Sequence, residues 1–73
     1  MMTNTVMLRD KLKKSGYKMK YVAAQLGVTY QGFLNKINNE SEFKAGEIQT
    51  LYDLLGLTKD EREDIFFADD VGK

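Results

Sequence analysis

Apolar positions in this chain fall into five short helical repeats, separated by glycines or polar breaks. Leu8 and Leu12 lie one turn apart and predict the buried face of a helix over Thr5–Ser15, with Arg9, Lys13 and Lys14 facing water. Gly16 ends it, and Tyr17 is expected to tuck back onto the core. Val22, Ala23 and Leu26 form the inner stripe of a second helix over 18–26. Phe33 and Ile37 repeat at i,i+4 in a third helix over 30–38, with Leu34 at its margin. Residues 38–42 are a polar connection with turn character, anchored at its far end by Phe43. A fourth helix over Ala45–Leu55 turns Ile48, Leu51, Leu54 and Leu55 inward, and Gly56 stops it. Thr58 opens T-K-D-E, a capping box with Glu61, and predicts a fifth helix over 59–67. Asp60 and Glu61 near its start suit the helix dipole. Residues 68–73 read as a frayed tail.

The joint between the second and third helices is the most specific part of this pattern. It reads V-A-A-Q-L-G-V-T-Y-Q-G-F-L-N-K-I over 22–37. Ala23 lets two helices approach, Gly27 permits a positive φ at the bend, and Val28 plugs the angle between them. Thr29 is placed to cap the third helix, whose outer side begins Tyr30-Gln31 and continues to Asn35-Lys36. A helix polar outside and anchored inside fits the major groove of duplex DNA. Gly32 lies on that outer side. It marks either a close approach of backbone to a partner or a tolerated surface glycine.

Length and composition narrow the chemistry. A chain of 73 residues leads to the expectation of one domain over 1–73 with a small core that oligomerisation would help. It has no Cys and no His, which removes disulfides, thiolate zinc sites and His acid–base chemistry. No metal or cofactor is expected, and no small-molecule effector is evident. No apolar run approaches membrane-spanning length, and residues 1–20 lack a signal core, so the expected location is cytoplasmic.

The formal net charge is zero, yet its distribution is polar along the chain. Residues 1–40 hold seven Lys/Arg against two acids, a balance of +5, while residues 41–73 hold four against nine, a balance of −5. Such a dipolar chain can turn a positive face to DNA with its acidic end pointing away.

The spacing of Ala23, Gly27, Val28, Phe33 and Ile37, framed by amphipathic helices, resembles the helix-turn-helix family of phage repressor and Cro proteins, often called the XRE family. The resemblance runs from Leu8 to about Phe67. Within it, L-G-V-T-Y-Q-G-F-L-N-K-I-N-N, Phe43 and E-I-Q-T-L-Y-D-L-L-G-L-T are similar to small phage-encoded, Cro-like regulators of Gram-positive bacteria. It implies an all-α, five-helix lambda-repressor-like DNA-binding domain with its helix-turn-helix over about 18–38. It further implies a sequence-specific transcriptional regulator that binds double-stranded operator DNA as a homodimer at a palindromic site. Base reading then falls to Tyr30, Gln31 and Asn35. Two positions depart from the family pattern. Met19 stands where many members carry a phosphate-touching Gln, and Gly32 replaces a more usual polar or hydroxyl residue.

The residue chemistry fits that division of labour. Gln31 and Asn35 can each pair bidentately with adenine N6/N7. Tyr30 offers a hydroxyl to phosphate and a ring face to a thymine methyl. Lys14, Lys20 and Lys36 can neutralise phosphates, Thr29 can touch the backbone as well as cap, and Lys18, Lys20 or Tyr21 can take over the anchor missing at Met19. One short helix is not expected to bury Ile65 together with both Phe66 and Phe67, so Leu57, Phe66 or Phe67 is expected at the centre of a dimer contact.

The rival reading is a protein-interaction module, antitoxin-like or anti-repressor, supported by the neutral net charge, the acidic second half and the Phe66-Phe67 pair. An enzyme is not expected. The carboxylates Asp60, Glu61, Glu63 and Asp64 cluster at an exposed helix start, where capping and solubility explain them, and no nucleophile has a base beside it.

Overall fold

The computed structural model describes residues 3–67, and these form five α-helices with no strand among them. They are α1 (Thr5–Ser15), α2 (Met19–Leu26), α3 (Tyr30–Ile37), α4 (Ala45–Leu55) and α5 (Lys59–Phe66). The expected frayed tail at 68–73 lies outside the described residues. Helix α1 packs on α3, α4 and α5, α2 packs on α3 and α4, and α4 packs on α5. The core comprises Leu8, Leu12, Val22, Ala23, Phe33, Ile37, Leu51, Leu57, Ile65 and Phe66. No helix among the described residues is long and apolar enough to cross a membrane.

The helix starts follow from side-chain oxygens. Asn4, Thr29 and Thr58 accept from the N–H groups of Met7, Gly32 and Glu61. Glu61 completes the capping box by accepting from Thr58 N–H at 2.9 Å. Glu47 supplies the matching bond at α4, accepting from Lys44 N–H at 2.8 Å. Lys18 is the residue before α2 and not its first turn, and it makes no side-chain cap.

Three helix ends use one backbone arrangement. After α2, Gly27 lies in the left-handed region at φ 76°, its N–H donates to Ala24 and Val28 N–H donates back to Ala23 at 3.1 Å. After α4, Leu57 N–H donates to Tyr52 at 3.0 Å. After α3, Glu40 N–H donates to Asn35 at 2.8 Å, and the left-handed residue is Asn39, at φ 65°. The Asn39 side chain is held as well. Its Oδ1 accepts from Thr3 N–H and its Nδ2 donates to Thr3 O, so the N-terminal segment clasps the end of α3. Thr5 Oγ1 donates to Ile37 O and Arg9 Nη2 to Asn38 Oδ1, extending the clasp along α1.

Several expected positions move. Tyr17 is not tucked onto the core. It is 41% exposed and stacks on Tyr21 with ring centroids 5.2 Å apart. The Ser15 hydroxyl accepts from its N–H and turns the chain outward there. Val28, in the turn between α2 and α3, and Leu54 on α4, both expected buried, are half-buried. Leu57 and Phe66, expected in a dimer contact, belong to the monomer core. Leu57 is folded back by the turn after Gly56, and Phe66 packs edge-on against Phe43 at 5.4 Å. Only Phe67 of that set stays half-exposed.

Ala23 is 2% exposed on α2, which packs against α3. Ala23→Leu is expected to overpack this joint and to lower stability by about 1–3 kcal/mol, read from urea unfolding midpoints. A stability equal to the parent's would show that the joint has room.

Lys11 on α1 forms an ion pair with Glu61 on α5. That ammonium, with the Thr58 N–H, holds the Glu61 carboxyl below its ordinary pKa. A carboxylate with a lower pKa in the folded state adds stability above its unfolded pKa and loses it as pH falls through the folded one. Lys11→Met is therefore expected to make the unfolding midpoint less sensitive to acid as pH falls through and below the ordinary glutamate range. A midpoint difference from the parent that stays constant with pH would remove the pair from the acid response.

Candidate nucleic-acid interface

Helix α3 divides sharply into two sides. Phe33 and Ile37 are wholly buried, while Tyr30 and Gln31 are exposed and Asn35 is half-buried. The Thr29 hydroxyl accepts from Gly32 N–H at 2.9 Å and fixes the start of the helix. A Cβ at position 32 would lie 3.0 Å from that same oxygen, so a larger residue presses on the cap. The equivalent Thr58 cap on α5 accommodates Glu61 at the same place, so the cap alone does not require glycine here. Gly32 also occupies the place where Glu or Gln would close a capping box, so α3 has only the Thr29 half of one.

The two amides expected to read bases touch each other. Gln31 Nε2 donates to Asn35 Oδ1 at 3.0 Å. The i,i+4 spacing of Gln and Asn was the signal for this bond in the sequence.

The basic residues separate into free and engaged groups. Lys18 and Lys20 are exposed, and neither pairs with an acid among the described residues. Lys14 is exposed and pairs with Asp10 along α1 at 3.1 Å, an arrangement that water and salt readily compete with. Lys36 differs. Its ammonium lies 3.2 Å from Glu47 and donates to Glu42 O, with only 11% of the side chain exposed. It ties α3 to the start of α4, and the expected phosphate contact would have to compete with this pairing. The ammonium sits where Glu47 and a backbone carbonyl already satisfy it.

Around α2, Tyr21 is 46% exposed and carries the stacked Tyr17. Met19 is half-buried against the core and does not present a polar group. A recess of about 290 Å³ bounded by Arg9, Leu12, Lys13, Tyr17 and Met19 lies beside the stack. Sequence reasoning missed the Tyr17–Tyr21 stack, because Tyr17 precedes the helix and periodicity does not place it.

A second groove, of about 370 Å³, is lined by Phe43, Ala45, Ile48 and Phe67, with Gln49, Arg62 and Glu63 at its rim. Arg62 stands over the Tyr52 ring at 5.1 Å and lies 3.7 Å from Glu63. No group of His, Cys, Asp and Glu suited to a metal ion occurs among the described residues. Comparison with known protein families, with characterised proteins and with solved structures finds no match.

Proposed function

We propose that this chain is a sequence-specific binder of double-stranded DNA, of the lambda-repressor-like kind, acting as a transcriptional regulator at a palindromic operator. The observation that carries this reading is the two-sided α3: a helix anchored by wholly buried Phe33 and Ile37, with Tyr30, Gln31 and the Gln31–Asn35 amide pair outward. It follows α2 after only Gly27, Val28 and Thr29 and packs on it, an arrangement that supports reading the two as a helix-turn-helix unit. In this reading α3 enters the major groove. Lys18, Lys20, Tyr21 and Thr29 approach phosphates, and exposed Lys14 adds a further charge.

Titration with duplexes selected from a random pool, at several salt concentrations, tests the reading. Binding is expected to weaken linearly in log–log form as salt rises. Lys20→Ala is expected to lower that slope by about one unit and to weaken matched and scrambled duplexes alike. Lys36→Ala is expected to leave the slope nearly unchanged and to lower stability instead, because its charge is already neutralised by Glu47. A Lys20→Ala slope equal to the parent's would remove that contact. Parent binding that favours no duplex sequence would overturn the reading and favour a protein-interaction module.

The working form in this proposal is a homodimer on DNA. One recognition helix meets only a few base pairs, and two copies about 34–36 Å apart double the information read. With Leu57 and Phe66 in the core, the seam falls to the groove beside Phe67, where Phe43 and Ile48 supply apolar surface and Arg62 and Glu63 supply opposite charges. Opposite charges on one surface suit a two-fold contact, since each can face the other on the second copy. Phe67→Ser is expected to weaken binding to the palindrome while leaving a single half-site unaffected. Sedimentation of the complex checks it: a saturated complex of one chain per palindromic duplex would rule out the dimer.

A further inference from the structure

The outward hydrogen bond on α3 changes what its two amides can do. Gln31 Nε2 donates to Asn35 Oδ1 at 3.0 Å. Gln31 is exposed, whereas Asn35 is half-buried and its backbone carbonyl accepts from Glu40 N–H in the turn that ends the helix. No other described residue bonds to either side-chain amide.

We propose that Gln31 is the base reader and Asn35 its positioning residue, so that the pair reads one adenine as a unit and not two bases independently. This rests on the DNA-binding reading above. A carboxamide nitrogen carries two hydrogens. One of them, directed along the helix to Asn35, fixes the plane of the Gln31 amide. The other N–H and Oε1 then present a donor and an acceptor side by side. Adenine offers the complement in the major groove, an N7 acceptor next to an N6–H donor. Guanine offers two acceptors there, N7 and O6, so Oε1 meets O6 oxygen against oxygen. Asn35 has its own Oδ1 engaged by Gln31 and its side chain half covered, which makes it the poorer bidentate reader. Without Asn35 the longer Gln31 side chain samples several rotamers, and its ordering is left to the moment of binding.

The test takes a duplex selected by the parent protein and replaces the adenine at the sensitive position by guanine, or by 7-deazaadenine, which lacks N7. Affinities are measured at one salt concentration for the parent, Gln31→Ala, Asn35→Ala, Asn35→Asp and the Gln31→Ala, Asn35→Ala double variant, with folding checked by thermal melting. The parent is expected to lose on the order of tenfold with the guanine replacement and to weaken with 7-deazaadenine. Gln31→Ala and Asn35→Ala are both expected to lose discrimination at that same base, and the double variant to be no worse than Gln31→Ala alone. Asn35→Asp keeps an acceptor for Gln31. It is expected to retain the adenine-to-guanine ratio even though its charge weakens all duplexes. That ratio is a readout a purely structural Asn35 would not move. Two separate sensitive bases with additive losses overturn the proposal and leave DNA binding standing, as does an Asn35→Ala protein that keeps the parent's ratio. If Asn35→Ala does not fold, the ratio kept or lost by Asn35→Asp decides. A parent without any sequence preference overturns both readings together.

Discussion

Phe33 sits at the centre of this protein, wholly buried, and two further rings continue from it. Phe43 lies edge-on to it at 6.3 Å and 72°, and Phe66 lies edge-on to Phe43 at 5.4 Å and 80°. Edge-to-face pairs place the positive edge of one ring on the negative face of the next, adding attraction to the burial of area. The chain of three rings joins α3 and the connection after it to α5, which is far from both in sequence. In a core this small, few other contacts can replace it. The outward side of α3 is a consequence: the helix cannot turn Tyr30 and Gln31 inward without taking Phe33 out.

The same helix is held at both ends. Thr29 fixes its first turn, and Asn39, in the left-handed region and clasped to Thr3, fixes its last. Lys36 adds a tie to the start of α4 through Glu47, which also caps that helix. Under the DNA-binding proposal, a surface held this way would lose little conformational freedom on binding, leaving more of its contact energy for affinity and discrimination. The Gln31–Asn35 bond carries the same principle out to the side chains.

Charge follows a related logic. The basic first half and the acidic second half are tied where they meet, at Lys11–Glu61 and Lys36–Glu47. The cations left exposed and unpaired among the described residues include Lys18 and Lys20, at the start of α2 and one residue before it. A neutral total therefore coexists with exposed, unpaired cations around the start of α2.

Much of the architecture was legible in the sequence because it is local. Helix periodicity placed all five helices, α1 and α4 to the residue, and Thr29, Thr58 with Glu61, and the glycines at 16, 27 and 56 marked starts and ends through backbone chemistry within a few residues. Phe33, Ile37, Ala23 and Leu51 were identified as core by spacing alone. What periodicity could not decide was the competition among neighbours for a limited interior. Phe66 went in and Phe67 stayed at the edge because Phe43 offered an edge-on partner to only one of them. Leu57 went in because the turn after Gly56 folds it back, and Lys36 turned to Glu47 because α4 starts beside α3. Tyr17 went out because Tyr21 gave it a stacking partner on the surface. The sequence by itself determined which segments are helical and, to within about one residue, where each begins and ends, since those depend on residues within a turn. Which side chains close the core, and which polar groups stay free to meet a ligand, was decided only by tertiary contact, since it depends on what the chain brings from elsewhere.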